Sequence, residues 1–193
     1  MRSADEQLAV VILAGGQASR LPGKLELDAG GVPLLVHVYR NVRGVGPVYV
    51  SAAGGFPASI DRELECPIIV DRRPYRGPLA ALYDILPQVR ESRVFVAAGD
   101  APFVDTLVAD ELRAAWEPGI QAVVPVNGSG RLEPLCALYE RAALLHAAGT
   151  ILAEGSGGVA SAVERLHTKR VRLSNERVFA NVNTADDCRY LKA

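Results

Sequence analysis

Residues 8–13, Leu-Ala-Val-Val-Ile-Leu, form an unbroken apolar run that Ala14-Gly15-Gly16 ends. A run this short, closed by glycines, predicts a strand buried on both faces. Comparable runs at 48–52, 67–70, 94–98 and 121–126 predict four more strands. Between them the apolar positions change to helical spacing. Leu35, Val38 and Val42 lie on one face of a helix predicted over 34–42, opened by Pro33. Pro78 opens a second helix to about residue 89, and Asp105 or Thr106 caps a third that ends near Trp116. Asn127-Gly128-Ser129-Gly130 is a turn, followed by a strand over 133–139. Helical runs follow at about 142–153 and 158–166, then short strands at 169–173 and 178–182. Thr184 to Asp187 reads as a capping box for a last helix.

Strands alternate with helices through the first 120 residues or so. That order predicts an α/β fold, a mostly parallel central sheet with helices on both faces. The later hairpin-like pair adds mixed strands at one edge. No repeat or linker divides the chain, so one domain over 1–193 is expected. Ligands of such sheets bind at the carboxyl ends of the strands. The segments at 15–24, 51–54, 71–77, 99–102 and 181–183 all fall at predicted strand ends, so their loops should converge on one rim.

Composition narrows the classes. The net charge is −1, which argues against a nucleic-acid partner and confines any anion site to a local patch. Cys66, Cys136 and Cys188 are odd in number and lack metal-ligand spacing, so reduced thiols in a cytoplasmic protein are expected. The first six residues are too acidic and polar for a signal peptide. No run approaches the ~18 apolar residues of a membrane span.

The chemistry concentrates in Gly15 to Lys24. Gly15 and Gly16 let a ligand lie on the backbone, and Arg20 and Lys24 bring two cations into one loop. The loop suits an anion, most simply a phosphate chain. It is not a Walker loop: Gly23-Lys24 is present, but Ala18 and Leu25 stand where a glycine and a hydroxyl belong. Gly155 to Ala160 matches the dinucleotide spacing but follows a helical run, so it reads as a loop. Asp100 leaves the fourth strand with no basic neighbour in sequence; it either holds a hard cation such as Mg²⁺ or caps the next turn. Asp71 occupies the same place after the third strand and either serves the ligand or pairs with Arg72, Arg73 or Arg76. Asn181 and Asn183, two apart on a predicted strand, would share a face toward a polar ligand; as turn formers they would instead precede the Thr184 cap. His37, His146 and His167 fall in or beside helical runs away from the expected rim, and Ser19 has no base for triad chemistry.

Leu13-Ala14-Gly15-Gly16 with Arg20 and Lys24, then Gly77-Pro78-Leu79, Gly99 to Phe103, Glu133-Pro134-Leu135 and Phe179 to Thr184, in that order, resemble the molybdenum cofactor guanylyltransferases. The resemblance covers nearly the whole chain and implies a Rossmann-like three-layer sandwich. It also implies a reaction: GMP passes from GTP to molybdopterin or its molybdenum-loaded form, with Mg²⁺, and pyrophosphate leaves. Under it Leu13, Gly15 and Gly16 border the guanine, Lys24 binds phosphate, Arg20 serves the pyrophosphate, Asp71 lies along the nucleotide, and Asp100 holds the metal. Asn181 and Asn183 would face the pterin substrate, and molybdoenzymes or their chaperones would be partners. The first loop is one residue shorter than the commonest family pattern. The second strand ends in Ser51-Ala52-Ala53 where an asparagine is common, so Ser51 is the candidate contact there. Related cytidylyltransferases tend to carry a bulkier residue at the position of Gly15. A sugar-phosphate nucleotidylyltransferase, a cytidylyltransferase and a nucleotide-binding module without turnover are the other readings.

Overall fold

A computed structural model describes residues 7–15, 23–72, 77–182, 184 and 187. Seven strands form one sheet in the order β3-β2-β1-β4-β6-β5-β7. These are β1 (Leu8–Leu13), β2 (Val48–Ala52), β3 (Ile68–Val70), β4 (Arg93–Ala98), β5 (Ala122–Pro125), β6 (Cys136–Glu140) and β7 (Thr168–Val171). The helices are α1 (Leu34–Val42), α2 (Ala58–Asp61), α3 (Pro78–Ile85), α4 (Thr106–Ala114), α5 (Arg141–Glu154) and α6 (Val159–Glu164).

The continuous apolar runs have the expected cause. Leu8, Val10 and Ile12 of β1 enter one core, shared with α1 and α4; Ala9 and Val11 enter the other, shared with α3, α5 and α6. β4 does the same, with Phe95 and Ala97 on one side and Val94 and Val96 on the other. A strand covered on both faces has no polar side to alternate with. The result is three layers.

Strands β1, β2, β3 and β4 are parallel, and β5 pairs parallel with β7. The mixed pairing lies on the β6-β5-β7 side, where β6 runs antiparallel to both β4 and β5. The reversal begins at the predicted turn. Asn127 N–H donates to Arg131 O at 2.9 Å, Gly130 N–H to Asn127 O at 2.9 Å, and Gly130 takes φ 82°. The Asn127 side-chain oxygen also accepts from the Ser129 and Arg131 N–H groups.

Several boundaries move. The strand expected from Glu133 begins at Cys136: Pro134 has no N–H for a ladder, and Cys136 N–H turns back to Glu133 O at 3.1 Å. The helix expected to reach residue 89 ends at Ile85, and Leu86–Gln88 tightens into a 3-10 turn at Pro87. The strand expected over 178–182 does not form. Glu176–Phe179 is a 3-10 turn, capped by the Asn175 side chain, which accepts the Arg177 N–H at 3.0 Å. That local bond competes with an extended backbone. Helix α2, four residues after Pro57, has too little periodicity to be seen in sequence. No helix among the described residues is long and apolar enough to cross a membrane.

Candidate active site

The chain leaves β1, crosses to β2 and β3 on one side, and returns to β4 on the other. The carboxyl ends of β1 and β4 therefore flank the point where the winding reverses, the place where open α/β sheets bind ligands. Leu13 pairs with Ala98 there, and Gly99 N–H donates to Leu13 O at 2.9 Å. Asp100 thus emerges beside Ala14 and Gly15. A cavity of about 530 Å³ opens above this junction, within the size range of small-molecule sites. Leu13, Gly15, Lys24 and Asp100 line it, with Pro78 of α3 and Leu135 ahead of β6. Gly15 and Lys24, the Gly77-Pro78 helix start and Asp100 therefore meet at one cavity, and Leu135 joins them there.

Lys24 arrives from a different direction. Gly23, with φ 73°, bends the chain into a 3-10 turn over Lys24–Glu26. The Lys24 ammonium donates to a carboxylate oxygen of Asp100, and the two side chains are 16% and 27% exposed. Asp100 is therefore paired, contrary to its isolation in sequence. The partner stands 76 residues away and only the fold brings it near. Each member of the pair satisfies the other.

Asp71 is placed behind Gly15, and Ser51 beneath it; neither lines the cavity. Asp71 is 6% exposed, Ser51 fully buried, and the Ser51 hydroxyl donates to Asp71 Oδ1. Asp71 N–H completes the strand pairing to Ala52 O at 2.8 Å. Its other oxygen lies 2.5 Å from where a Cβ on Gly15 would stand, and the Ala53 nitrogen 2.9 Å. Any side chain at Gly15 would displace these atoms. Burial pushes the Asp71 carboxyl above its ordinary value; the Ser51 hydroxyl pulls it back and the charge of Asp84 adds to the rise. Arg72 does not pair with Asp71 through its backbone but donates its N–H to Asp84 Oδ2 at 3.0 Å.

Asn181 is exposed and faces a neighbouring cavity of about 290 Å³, with Pro102, Phe103 and Arg177. The two cavities share one loop: Val182 N–H donates to Asp100 O at 2.9 Å. The strand expected to carry Asn181 is absent, so it is this bond, with Val182 buried against Ala29 and Leu34, that positions it. Gly16, Arg20 and Asn183 lie outside the described residues.

Three contributors were not read from sequence. His37 and Asn41, one helical turn apart on α1, both reach Pro102 O, at 3.2 and 2.9 Å. His37 was expected away from the rim; α1 instead packs beneath the Asp100 loop. Their i, i+4 spacing was the available signal. Arg177 lies over the Phe103 ring, 4.2 Å from its centroid, and nothing in its local sequence marks it. The larger cavity of about 790 Å³, between α3 and α5, is lined by Tyr83, Arg141 and His146 and holds none of the predicted site residues.

A family model for the MobA-like NTP transferase domain matches residues 10–171. A Mycobacterium marinum relative named "Probable molybdenum cofactor guanylyltransferase" is 32% identical over 93% of this chain and 90% of its own. A Mycobacterium tuberculosis relative of the same name is 31% identical over 92% and 90%. Among solved structures, molybdopterin-guanine dinucleotide biosynthesis protein A of Archaeoglobus fulgidus superposes with TM-score 0.77 at 23% identity, covering 95% of this chain and 96% of that one. A nucleotidyl transferase of Methanothermobacter thermautotrophicus gives 0.75 at 15% identity, over 97% and 96%. With the matched span running from Val10 within β1 to Val171 at the end of β7, and with Lys24 and Asp100 brought together at the switch point of the sheet, the chain belongs to the MobA-like NTP transferase family and is a nucleotidyltransferase.

Proposed function

We propose that the chain transfers GMP from GTP to molybdopterin, or to its molybdenum-loaded form, and releases pyrophosphate. The observation that carries this reading is the Lys24–Asp100 pair at the switch point of the sheet. The names of the curated relatives supply the substrates. A hard cation suits Asp100, because Mg²⁺ is commonly held by one or two carboxylates together with phosphate oxygens and water. When bound, Mg²⁺ supplies charge neutralisation at the phosphate oxygens and polarises the reacting phosphoryl group.

Lys24 exchanges Asp100 for the phosphates of the entering nucleotide. The side-chain-free Gly15, braced by Asp71 and Ser51, lets the base lie against the backbone beside Leu13, and Gly16 is assigned to the same base. Arg20 takes the leaving pyrophosphate, and Asn181 and Asn183 face the acceptor. An acceptor phosphate oxygen attacks the α-phosphorus in line; the new P–O bond forms as the bond to the β-phosphate bridging oxygen breaks. The attacking phosphate monoester is already ionised, with a second pKa of about 6, so no general base is needed. Lys24 and Arg20 stabilise the charge that collects on pyrophosphate. The reaction belongs in the cytoplasm, where Cys66 and Cys136 remain thiols and molybdoenzymes or their chaperones take the product.

Pyrophosphate release from GTP, Mg²⁺ and molybdopterin tests the reading, with CTP and ATP in parallel. The expected result is release that requires all three components and a kcat/KM for GTP at least about 10³-fold above CTP. Equal use of CTP would overturn the base assignment, and release without molybdopterin would overturn the acceptor.

A further inference from the structure

We propose that Arg177, held over Phe103, is the cation that receives the phosphate end of the acceptor before transfer. The inference rests on the nucleotidyl-transfer reading above and concerns a side chain that reading leaves unused. Its starting point is charge. Among the described residues lining the reactive cavity, Lys24 is the only cation, and it is engaged first by Asp100 and then by the nucleotide. A dianionic acceptor must still approach a triphosphate, and each extra negative charge raises the cost of that encounter.

The neighbouring cavity offers a further cation. Arg177 lines it with Phe103 and Asn181. Its turn is held in place: Asn175 caps the backbone N–H of Arg177, and the next residue, Val178, is buried at 1% exposure. Phe103 restrains the guanidinium from one side, 4.2 Å from the ring centroid, and leaves its N–H donors able to meet an oxyanion as a fork. Asp187, the acidic group on the same wall, accepts the Thr184 N–H at 2.8 Å. The arrangement is joined to the reactive centre by covalent and hydrogen-bonded links: Phe103 follows Asp100 on one loop, and Val182 N–H holds Asp100 O. An acceptor phosphate gathered at Arg177 is thus held next to the loop that carries Asp100, leaving Lys24 to the nucleotide.

The test uses the full chain with GTP, Mg²⁺ and molybdopterin, reading steady-state pyrophosphate release and, separately, molybdopterin binding by fluorescence titration. Arg177→Ala should raise the acceptor KM by about tenfold or more, the scale of a lost charged hydrogen bond, with the GTP KM unchanged. Arg177→Lys should recover part of the loss, and Phe103→Leu should raise the acceptor KM by less than Arg177→Ala. Inorganic phosphate should compete with the acceptor in the parent protein and lose that effect in Arg177→Ala. An unchanged acceptor KM in a folded Arg177→Ala protein overturns the inference alone, as does an equal rise in both KM values. A parent protein that neither binds nor uses molybdopterin overturns the reading beneath it, and the inference with it.

Discussion

Lys24 and Asp100 neutralise each other in the nucleotide-free protein, and that pairing makes separate predictions for the two variants. Asp100→Ala should lose about 10²-fold or more in kcat, the scale of a removed transition-state charge partner. The same variant should bind metal-free GTP at least as well as the parent, because Lys24 is released. Lys24→Ala should weaken GTP·Mg²⁺ binding while Asp100, freed in turn, binds Mg²⁺ alone more tightly. Calorimetry with and without metal separates these; weaker metal-free GTP binding in Asp100→Ala would contradict the exchange. Asp71 gives a pH prediction. Its folded-state pKa is raised, chiefly by burial, so the fold favours its protonated form. The stability this contributes is present below the ordinary value of 3.8 and is lost as pH rises through the folded-state value. Asp71→Asn keeps a hydrogen-bonding oxygen for Ser51 without the charge. Its melting temperature at pH 7 should equal or exceed that of the parent, and the advantage should shrink toward pH 4. An advantage that grows on acidification would mean that the fold favours the ionised form instead.

At the scale of elements, the Asp100 loop depends on α1. Asn41 donates to Pro102 O at 2.9 Å and His37 meets the same oxygen at 3.2 Å, so one helix face holds the turn that presents Asp100. Asn41→Ala removes one hydrogen bond, worth about 0.5–1.5 kcal/mol. It should lower kcat several-fold with little change in GTP affinity, since Lys24 comes from another element. His37→Ala should act in the same direction, and the double variant should lose more than either. If Asn41→Ala changes melting temperature but not kcat, α1 supports the fold without positioning the loop.

Across the whole molecule, the two cores share β1 and β4, whose side chains enter both layers. Loss of one core should therefore open the other. Phe95, fully buried on β4, is the sharpest probe: Phe95→Ala should cost roughly 3–5 kcal/mol through lost contacts and a cavity. Trp116, the single tryptophan, lies just beyond α4 with Arg93 4.5 Å from its ring centroid, so its fluorescence reports on the β4 region. Urea unfolding followed by Trp116 fluorescence and by far-ultraviolet circular dichroism should coincide for both proteins. Two separated transitions would show that the cores unfold independently.

The apolar runs and the turn at Asn127–Gly130 act through neighbours in sequence, and these were legible in the chain alone. A six-residue apolar run closed by glycines has few ways to satisfy both its side chains and its backbone. Burial in a parallel sheet is one, and the alternation with helices selected it for β1 through β4. The rim of strand ends followed from that topology, and Asp100 and Lys24 with it. The remainder depended on contacts between distant residues. The partner of Asp100 is 76 positions away, that of Ser51 is 20, and that of Asn41 is 61. No local pattern encodes such pairs, because each arises from where two loops or a loop and a helix meet. The end of the chain shows the converse: residues 178–182 have strand-forming composition, yet the Asn175 cap and the bond from Val182 to Asp100 O draw them off the sheet. Propensity determined which conformations those residues could adopt, and tertiary hydrogen bonds decided which one they did.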